Sequence, residues 1–388
     1  MEKQKCPELR FNGYSESWEI KELREICSYH TSSLTVNDAR SKGQYKLYDA
    51  NDCIGYTTEN IQYSEYITII KDGSGVGRVK VLPKETSFIA TMGAITVKNQ
   101  KDDLNFIYYQ LQRIDFSKHI LGATIPHVYF SSYGSDSYPI PCGKEQIAIS
   151  RFLQNLDQSI ALHEKKLTQT QNLKKAMLEK MFPKAGSTQP EIRLKGFSGE
   201  WDTINLGSLC YIGDIDHRMP ESNTSGIPYL MTGDFFGING LDFKNAKLIS
   251  NQDYEQLSKK IKPVMGDILF ARYASVGTVR LVVTDVKFLI SYSCAILKTS
   301  VSSNGEYLFY WFQTSFAQNQ IEQEINTGSQ RNIGIDSLKK LSVSLPKTSE
   351  QKAIANFFKK LDETLALQQQ QFQTLKNLKQ AFLEKMFV

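Results

Sequence analysis

A chain of 388 residues has room for two or three domains, because a single core seldom grows past about 250–300 residues. Hydrophobic residues at 41% and charged residues at 22% are ordinary for a soluble globular protein and suggest neither disorder nor a membrane class. The net charge of +5 leans toward a polyanionic partner such as nucleic acid without identifying one.

In chain order, the opening Met-Glu-Lys-Gln-Lys lacks the apolar stretch of a signal peptide, and no apolar run approaches the ~18 residues of a spanning helix. A cytoplasmic protein without a membrane partner is expected. Pro-Glu-Leu-Arg-Phe-Asn-Gly-Tyr-Ser-Glu-Ser-Trp follows at 7–18, and a closely similar phrase returns at 190–201. The region from about 19 to 138 carries short β-branched runs such as Tyr66-Ile67-Thr68-Ile69-Ile70, parted by glycine and asparagine turns, and then a helical stretch from Leu104 to Ile114. Pro139 and Pro141 close an extended segment. From there Ile149, Leu153, Leu156, Ile160, His163, Leu167, Thr170, Lys174, Met177 and Met181 follow a 4-3 spacing, the pattern of helices that pack along their length.

The breaker-rich stretch 183–190 reads as a linker. Beyond it the plan repeats: Val279-Arg280-Leu281-Val282-Val283 is a strand, Tyr307 to Ile325 is helical, and Ile354, Phe358, Leu361, Leu365, Gln368, Phe372, Leu375, Lys379, Phe382 and Met386 restate the long seam. Thr348 with Gln351 three residues later fits a capping box at its start. The polar breaks at His163 and Gln368 read as register features or solvated positions rather than ligands. Trp18 aligns with Trp201 at a shift of 183 (201 − 18), and Glu145 with Glu350 at 205 (350 − 145), so the middle of the second half is longer by 22 (205 − 183). A long-period duplication with matching ends and unlike middles describes a fixed frame that carries two different readers. A lone rod of about 40 residues could not bury its stripe, so the two long helices are expected to pair antiparallel with pseudo-twofold symmetry, the alternative being that each packs only on its own domain.

The chemistry of catalysis is absent from the motifs. There is no phosphate loop, no H-E-x-x-H, no Gly-x-Ser-x-Gly elbow and no Pro-Pro pair for an adenine-methyltransferase clamp. The six cysteines lie far apart without a C-x-x-C pair, which leaves little support for a disulfide frame or zinc site. What remains are polar, glycine-bearing loops. The turn holding Ser74, Gly75, Arg78 and Lys80 has its counterpart in Arg272, Tyr273, Ser275 and Thr278; glycine permits close backbone approach, and hydroxyls and basic side chains suit phosphates. The same turns also read as plain hairpins with solvated charges. Thr124 and His127 in Gly122–His127 match Gln330, Arg331 and Asn332 in Gly328–Ile333, types that can hydrogen-bond base edges or phosphates. A third cluster, Gly213 to Pro220 with Asp216, His217 and Arg218, has no twin and reads as a binding loop, since no nucleophile or third orienting group is placed.

The repeated start, the Pro-x-Glu-Gln-like approach to each long helix and Leu-Glu-Lys-Met-Phe at each end resemble the specificity subunit of type I restriction-modification systems. So do Gly43-Gln44-Tyr45-Lys46-Leu47-Tyr48 with Asn51 and Gly55-Tyr56, and Ser225-Gly226-Ile227-Pro228-Tyr229-Leu230. The resemblance covers essentially the whole chain. It implies an α+β protein with two target recognition domains separated by an antiparallel pair of long helices: residues 1–142 and 184–346 as the domains, 143–183 and 347–388 as the spacer helices. It further implies a non-catalytic subunit that binds double-stranded DNA at a bipartite site and joins methyltransferase and motor-nuclease subunits. S-adenosylmethionine, ATP and Mg would then sit on those partners rather than on this chain. A modification-only methyltransferase complex and a coiled-coil protein adaptor remain as alternatives.

Overall fold

The computed structural model describes residues 6–59, 64–122, 124–299, 304–326, 328 and 330–388. The opening Met-Glu-Lys-Gln-Lys lies outside them. The chain forms two compact units, residues 1–164 with 370–388, and residues 165–369. Each combines mixed sheets with segments of both long helices, Gly143–Lys180 and Thr348–Lys385.

In the first unit, β1 (Glu19–Glu22) pairs antiparallel with β11 (Ser137–Ile140). A four-stranded antiparallel sheet runs β2 (Cys27–Thr31), β8 (Met92–Val97), β5 (Tyr66–Ile70), β6 (Val79–Leu82). A smaller sheet orders β4 (Cys53–Thr57), β3 (Tyr45–Tyr48), β7 (Thr86–Phe88), the last pair parallel. A short hairpin joins β9 (Ile120–Leu121) to β10 (His127–Val128). The second unit repeats this plan. β12 (Asp202–Asn205) pairs with β22 (Ser342–Leu345); one sheet runs β13 (Ile212–Gly213), β21 (Cys294–Leu297), β18 (Ile268–Ala271), β19 (Val279–Leu281). The other runs β17 (Lys247–Ile249), β14 (Ile227–Leu230), β20 (Leu289–Ile290).

The greater length of the second half lies in two places. Asp49 to Asp52 suffice to join β3 and β4, whereas Met231 to Ala246 join β14 and β17 and include the hairpin β15 (Phe235–Phe236) and β16 (Gly240–Leu241). The helix Asn251–Leu257 then fills the passage from β17 to β18. Its Ser250 cap accepts from the Asp253 amide, satisfying one orphan donor of the first turn.

Within each unit the two helical segments run antiparallel. In the first, Phe152 meets Phe382 with ring centroids 4.8 Å apart and Asp157 meets Lys379 at 2.6 Å. In the second, Lys174 meets Asp362 at 2.7 Å and Phe182 packs on Phe358 at 6.0 Å. The buried seam includes Ile149, Leu153, Leu383 and Met386 in one unit and Leu178, Met181, Ile354 and Phe358 in the other. Trp18 with Phe106, and Trp201 with Tyr307, carry that seam into the globular cores. A buried aromatic side chain of this kind contributes about 1.5–3 kcal/mol.

Each long helix begins in the same way. Glu145 and Glu350, in the first turns where the helix dipole favours an anion, are nearly fully buried and bind a guanidinium through two bonds. Arg10 reaches Glu145 at 2.6 and 2.8 Å, and Arg193 reaches Glu350 at 2.7 and 2.8 Å. Gln146 donates to the Pro141 carbonyl at 3.0 Å and Gln351 to that of Pro346 at 2.8 Å. This corrects the capping box expected at Thr348: the helix already includes Thr348, and Gln351 serves the preceding proline turn. The expected helix from Tyr307 to Ile325 is likewise two helices, Gly305–Trp311 and Ser315–Gln323, because Thr314 caps the second by accepting from the Ala317 amide.

Replacing Arg10 by Ala strands a buried carboxylate and should lower unfolding stability by about 3 kcal/mol. The double change Arg10→Met with Glu145→Leu should cost less than Arg10→Ala alone, and denaturant titration of the three proteins checks the order.

Candidate nucleic-acid interface

The chain reversal after β5 holds Ser74, Gly75 and Arg78. Gly75 has φ +89°, a left-handed conformation that suits glycine, and a Cβ there would stand 2.8 Å from Arg78 Nε. The Arg78 guanidinium therefore folds back over the turn and donates to Asn51 Oδ1 at 3.2 Å and the Ala50 carbonyl at 3.3 Å. Lys80 lies 5.9 Å from the centre of the Tyr48 ring. Tyr48, Asn51, Thr68, Arg78 and Lys80 line a cavity of about 280 Å³.

The β9–β10 hairpin comes alongside this turn. Asp72 bridges to His127, the Gly73 amide donates to the Pro126 carbonyl at 2.9 Å, and His127 Nδ1 lies 2.7 Å from Asp72 Oδ1. The structure thus brings Ser74, Gly75, Arg78, Thr124 and His127 together, with Thr124 exposed at the hairpin. Ala123 lies outside the described residues. Sequence reasoning missed Tyr129, half exposed and stacked on His127 with centroids 6.3 Å apart. Its aromatic face beside the imidazole is suited to stacking on a base.

In the second unit the matching turn after β18 meets the matching loop by the bridge of Tyr273 with Asn332. Gly277 has φ +89°, and a Cβ there would come within 2.9 Å of Gln318 Oε1, so the turn packs close to the helix Ser315–Gln323. Ser275 is exposed at the tip, while Thr278 lines a recess of about 330 Å³ with Lys174 and Gln313. Gln330 and Arg331 are exposed, Arg331 pairing with Glu322. Asn332 is turned into its own loop, donating to the Gln330 carbonyl at 2.8 Å and accepting from Asn326 at 3.3 Å. Ser329 lies outside the described residues.

Arg272 departs from the expectation of an outward cation. It is buried, donates to Asp214 Oδ2 at 2.5 Å and to the Ile333 carbonyl at 3.0 Å, and so ties three loops together. Lys260 at 3.0 Å and His217 at 3.0 Å complete the set around Asp214. Burial would raise the Asp214 carboxyl, but the hydrogen bonds from His217 and Lys260 and the charges of Arg272 and Lys260 outweigh it and hold the group below its ordinary value. His217 stacks on Tyr292 at 4.9 Å, and Asp216 makes no acid/base pair with it, since the partner of His217 is Asp214. Arg218 is half exposed and anchored to Asp253 at 2.8 Å and Gln256 at 3.2 Å. The matching loops are thus organised by unlike chemistry, an Asp–His contact in one unit and a cation-ringed aspartate in the other.

Among the described residues no group of three or more His, Cys, Asp or Glu is placed to hold a metal ion, and no helix is long and apolar enough to cross a membrane. Two units of one plan presenting unlike polar loops define a protein built for recognition. The chain matches the family described as the type I restriction modification DNA specificity domain twice, over residues 15–172 and 198–377, and it belongs to that family. Its relatives include the putative type I restriction enzyme MjaX specificity subunit of Methanocaldococcus jannaschii, 22% identical over 95% of this chain and 92% of the relative. The MjaVIII specificity subunit of the same organism is also 22% identical, over 95% and 91%. The fold is shared with the type I restriction-modification S subunit from M. genitalium, at a TM-score of 0.68, 16% identity and 99% coverage of both chains. A chain from a structure of the assembly and conformational transition of the type I system aligns at a TM-score of 0.55 and 16% identity, over 95% of this chain and 97% of that one. The protein is accordingly a specificity subunit, a non-catalytic DNA-recognition protein of a restriction-modification system.

Because the folded Asp214 carboxyl titrates below its ordinary value, its contribution is present above the unfolded value of about pH 4 and is lost as pH falls through the folded one. The stability advantage of the native chain over Asp214→Asn should therefore shrink progressively below about pH 4, as read by denaturant titration from pH 6 to pH 3.

Proposed function

We propose that each unit reads one half of a bipartite double-stranded DNA sequence. The observation that carries this is the pairing of like frames with unlike loops: Arg10–Glu145 and Arg193–Glu350 agree in detail, while the loops around His127 and Arg331 share position but not chemistry. A protein adaptor with two like ends gives no reason for that divergence.

The repeated surface of the long helices supports a reading of the partners. Leu162 and Leu367 are exposed, as are Leu173 and Leu378, each pair 205 residues apart (367 − 162; 378 − 173). Apolar side chains left in water at equivalent places suit two copies of one partner. In this reading those copies are methyltransferase subunits that bind S-adenosylmethionine, joined for cleavage by motor-nuclease subunits that use ATP and Mg. The complex acts in the cytoplasm. In the first unit Ser74, Arg78 and Lys80 contact phosphates and Thr124, His127 and Tyr129 meet bases. In the second, Arg218 and Ser275 contact phosphates, Gln330 and Arg331 meet bases, and Arg272, Tyr273, Thr278 and Asn332 hold the loops that present them.

Methylome sequencing of cells expressing the chain with its methyltransferase should give a split motif with adenine methylated in both halves. Exchanging the first recognition domain should change one half and leave the other. Gln330→Ala should relax one base position of the second half by about 1–3 kcal/mol of discrimination. A motif unchanged by the domain exchange contradicts the reading, and methylation without restriction marks a modification-only complex.

A further inference from the structure

Both units contain a second polar cluster, apart from the recognition loops and from the helix starts. In the first, Tyr109 on the helix Leu104–Gln112 donates to Asp157 Oδ2 at 2.7 Å, Lys379 Nζ meets Asp157 Oδ1 at 2.6 Å, and the ammonium lies 5.4 Å from the centre of the Tyr109 ring. In the second, Tyr310 on the helix Gly305–Trp311 donates to Asp362 Oδ2 at 3.1 Å, Lys174 Nζ meets Asp362 Oδ1 at 2.7 Å, and the ammonium lies 5.6 Å from the Tyr310 ring centre. Asp157 and Asp362 stand 205 residues apart (362 − 157), as do Lys174 and Lys379 (379 − 174). The aspartate and lysine exchange long helices between the two units, so each cluster ties one globular helix to both long ones.

Aromatic rings flank both clusters, and in the second unit Lys174 Nζ also donates to Gln313 Oε1 at 2.9 Å. Phe106 stacks on Phe387 at 5.1 Å and Phe152 meets Phe382 edge to face at 4.8 Å in one unit, and Phe182 meets Tyr307 at 5.5 Å and Tyr310 meets Phe358 at 5.2 Å in the other. Apolar burial is non-directional and leaves a helix free to slide from one ridge to the next. A lysine and an aspartate in a partly buried site, the aspartate 35% exposed in the first unit and 16% in the second, pair in one arrangement, so a pair of this kind fixes position more than it adds stability. Burial, with Asp157 or Asp362 alongside, pushes both phenols up, so each tyrosine stays a donor. A slide by one ridge, four residues at about 1.5 Å each, would carry a domain's loops about 6 Å. That exceeds one base step of about 3.4 Å.

We propose that the Tyr109–Asp157–Lys379 and Tyr310–Asp362–Lys174 clusters are positioning devices that lock each recognition domain at one place along its helices and so set the number of base pairs between the half-sites. This rests on the two-half reading above, and the six side chains are positioning residues without a part in base contact.

The test expresses the full chain with its methyltransferase and compares methylomes of the native protein, Tyr109→Phe, Asp157→Asn, Tyr310→Phe and Asp362→Asn. Methylation at the native spacing should fall about tenfold in each variant, sites one base pair longer or shorter should gain it, and both half-site sequences should stay unchanged. Lys174→Arg and Lys379→Arg, which keep the charge, should keep the native spacing. Ile290→Val, in the second unit's other core, supplies a destabilised control whose spacing should not move. Loss of methylation without gain at neighbouring spacings would overturn the inference, as would the same redistribution in the control. A native protein that gives no split motif would overturn the two-half reading and this inference with it.

Discussion

Neither long helix can bury its apolar stripe alone, and the architecture of each unit follows from that constraint. A single amphipathic rod in water would leave Ile149, Leu153, Ile354 and Phe358 exposed; each unit instead covers the beginning of one helix with the end of the other. An arrangement of this kind brings the opening phrase of each repeat against the end of a long helix. In the first unit the Leu9 amide donates to the Lys385 carbonyl at 2.9 Å, and in the second the Ile192 amide donates to the Lys180 carbonyl at 2.8 Å. The phrases that repeat in sequence are therefore those that close the helix ends, and a change in one copy alone would break the fit of its unit.

The recognition loops are released from this constraint. They hang from strands whose register is fixed by buried faces, as in β5, where all five residues are buried, so their own residues can change without disturbing the core. Each unit needs its two loops joined, and either solution serves. His127 with Asp72 does so at the edge of solvent, while Arg272 with Asp214 does so inside the protein at the cost of burying a cation that the Asp214 carboxylate and the Ile333 carbonyl then satisfy. The larger second unit adds the β15–β16 hairpin, held by Arg280 through the carbonyls of Gly237 and Gly240 at 3.0 and 3.1 Å.

Much of this was legible before any coordinates. The duplication, the 4-3 seam and strand Tyr66–Ile70 could be read because each depends on local periodicity that burial enforces. The inward turn of Arg272 could not, since its partner Asp214 lies 58 residues away and nothing in the spacing joins them. The break between the helices Gly305–Trp311 and Ser315–Gln323 was written in Thr314-Ser315, a cap signature hidden by the apolar residues on both sides. Lys174 and Lys379 stood in the expected seam as polar exceptions, and their purpose appears only once Tyr310 and Tyr109 arrive from elsewhere in the chain.

The central claim is that the two units read DNA separately on a common frame. Hydroxyl-radical footprinting of the complex with its methyltransferase, on DNA carrying the native first half-site and a scrambled second one, tests it most directly. Protection confined to the native half, with weakened overall binding, is the predicted result. Simultaneous loss of both protected patches, or a footprint indifferent to the scrambled half, would contradict it.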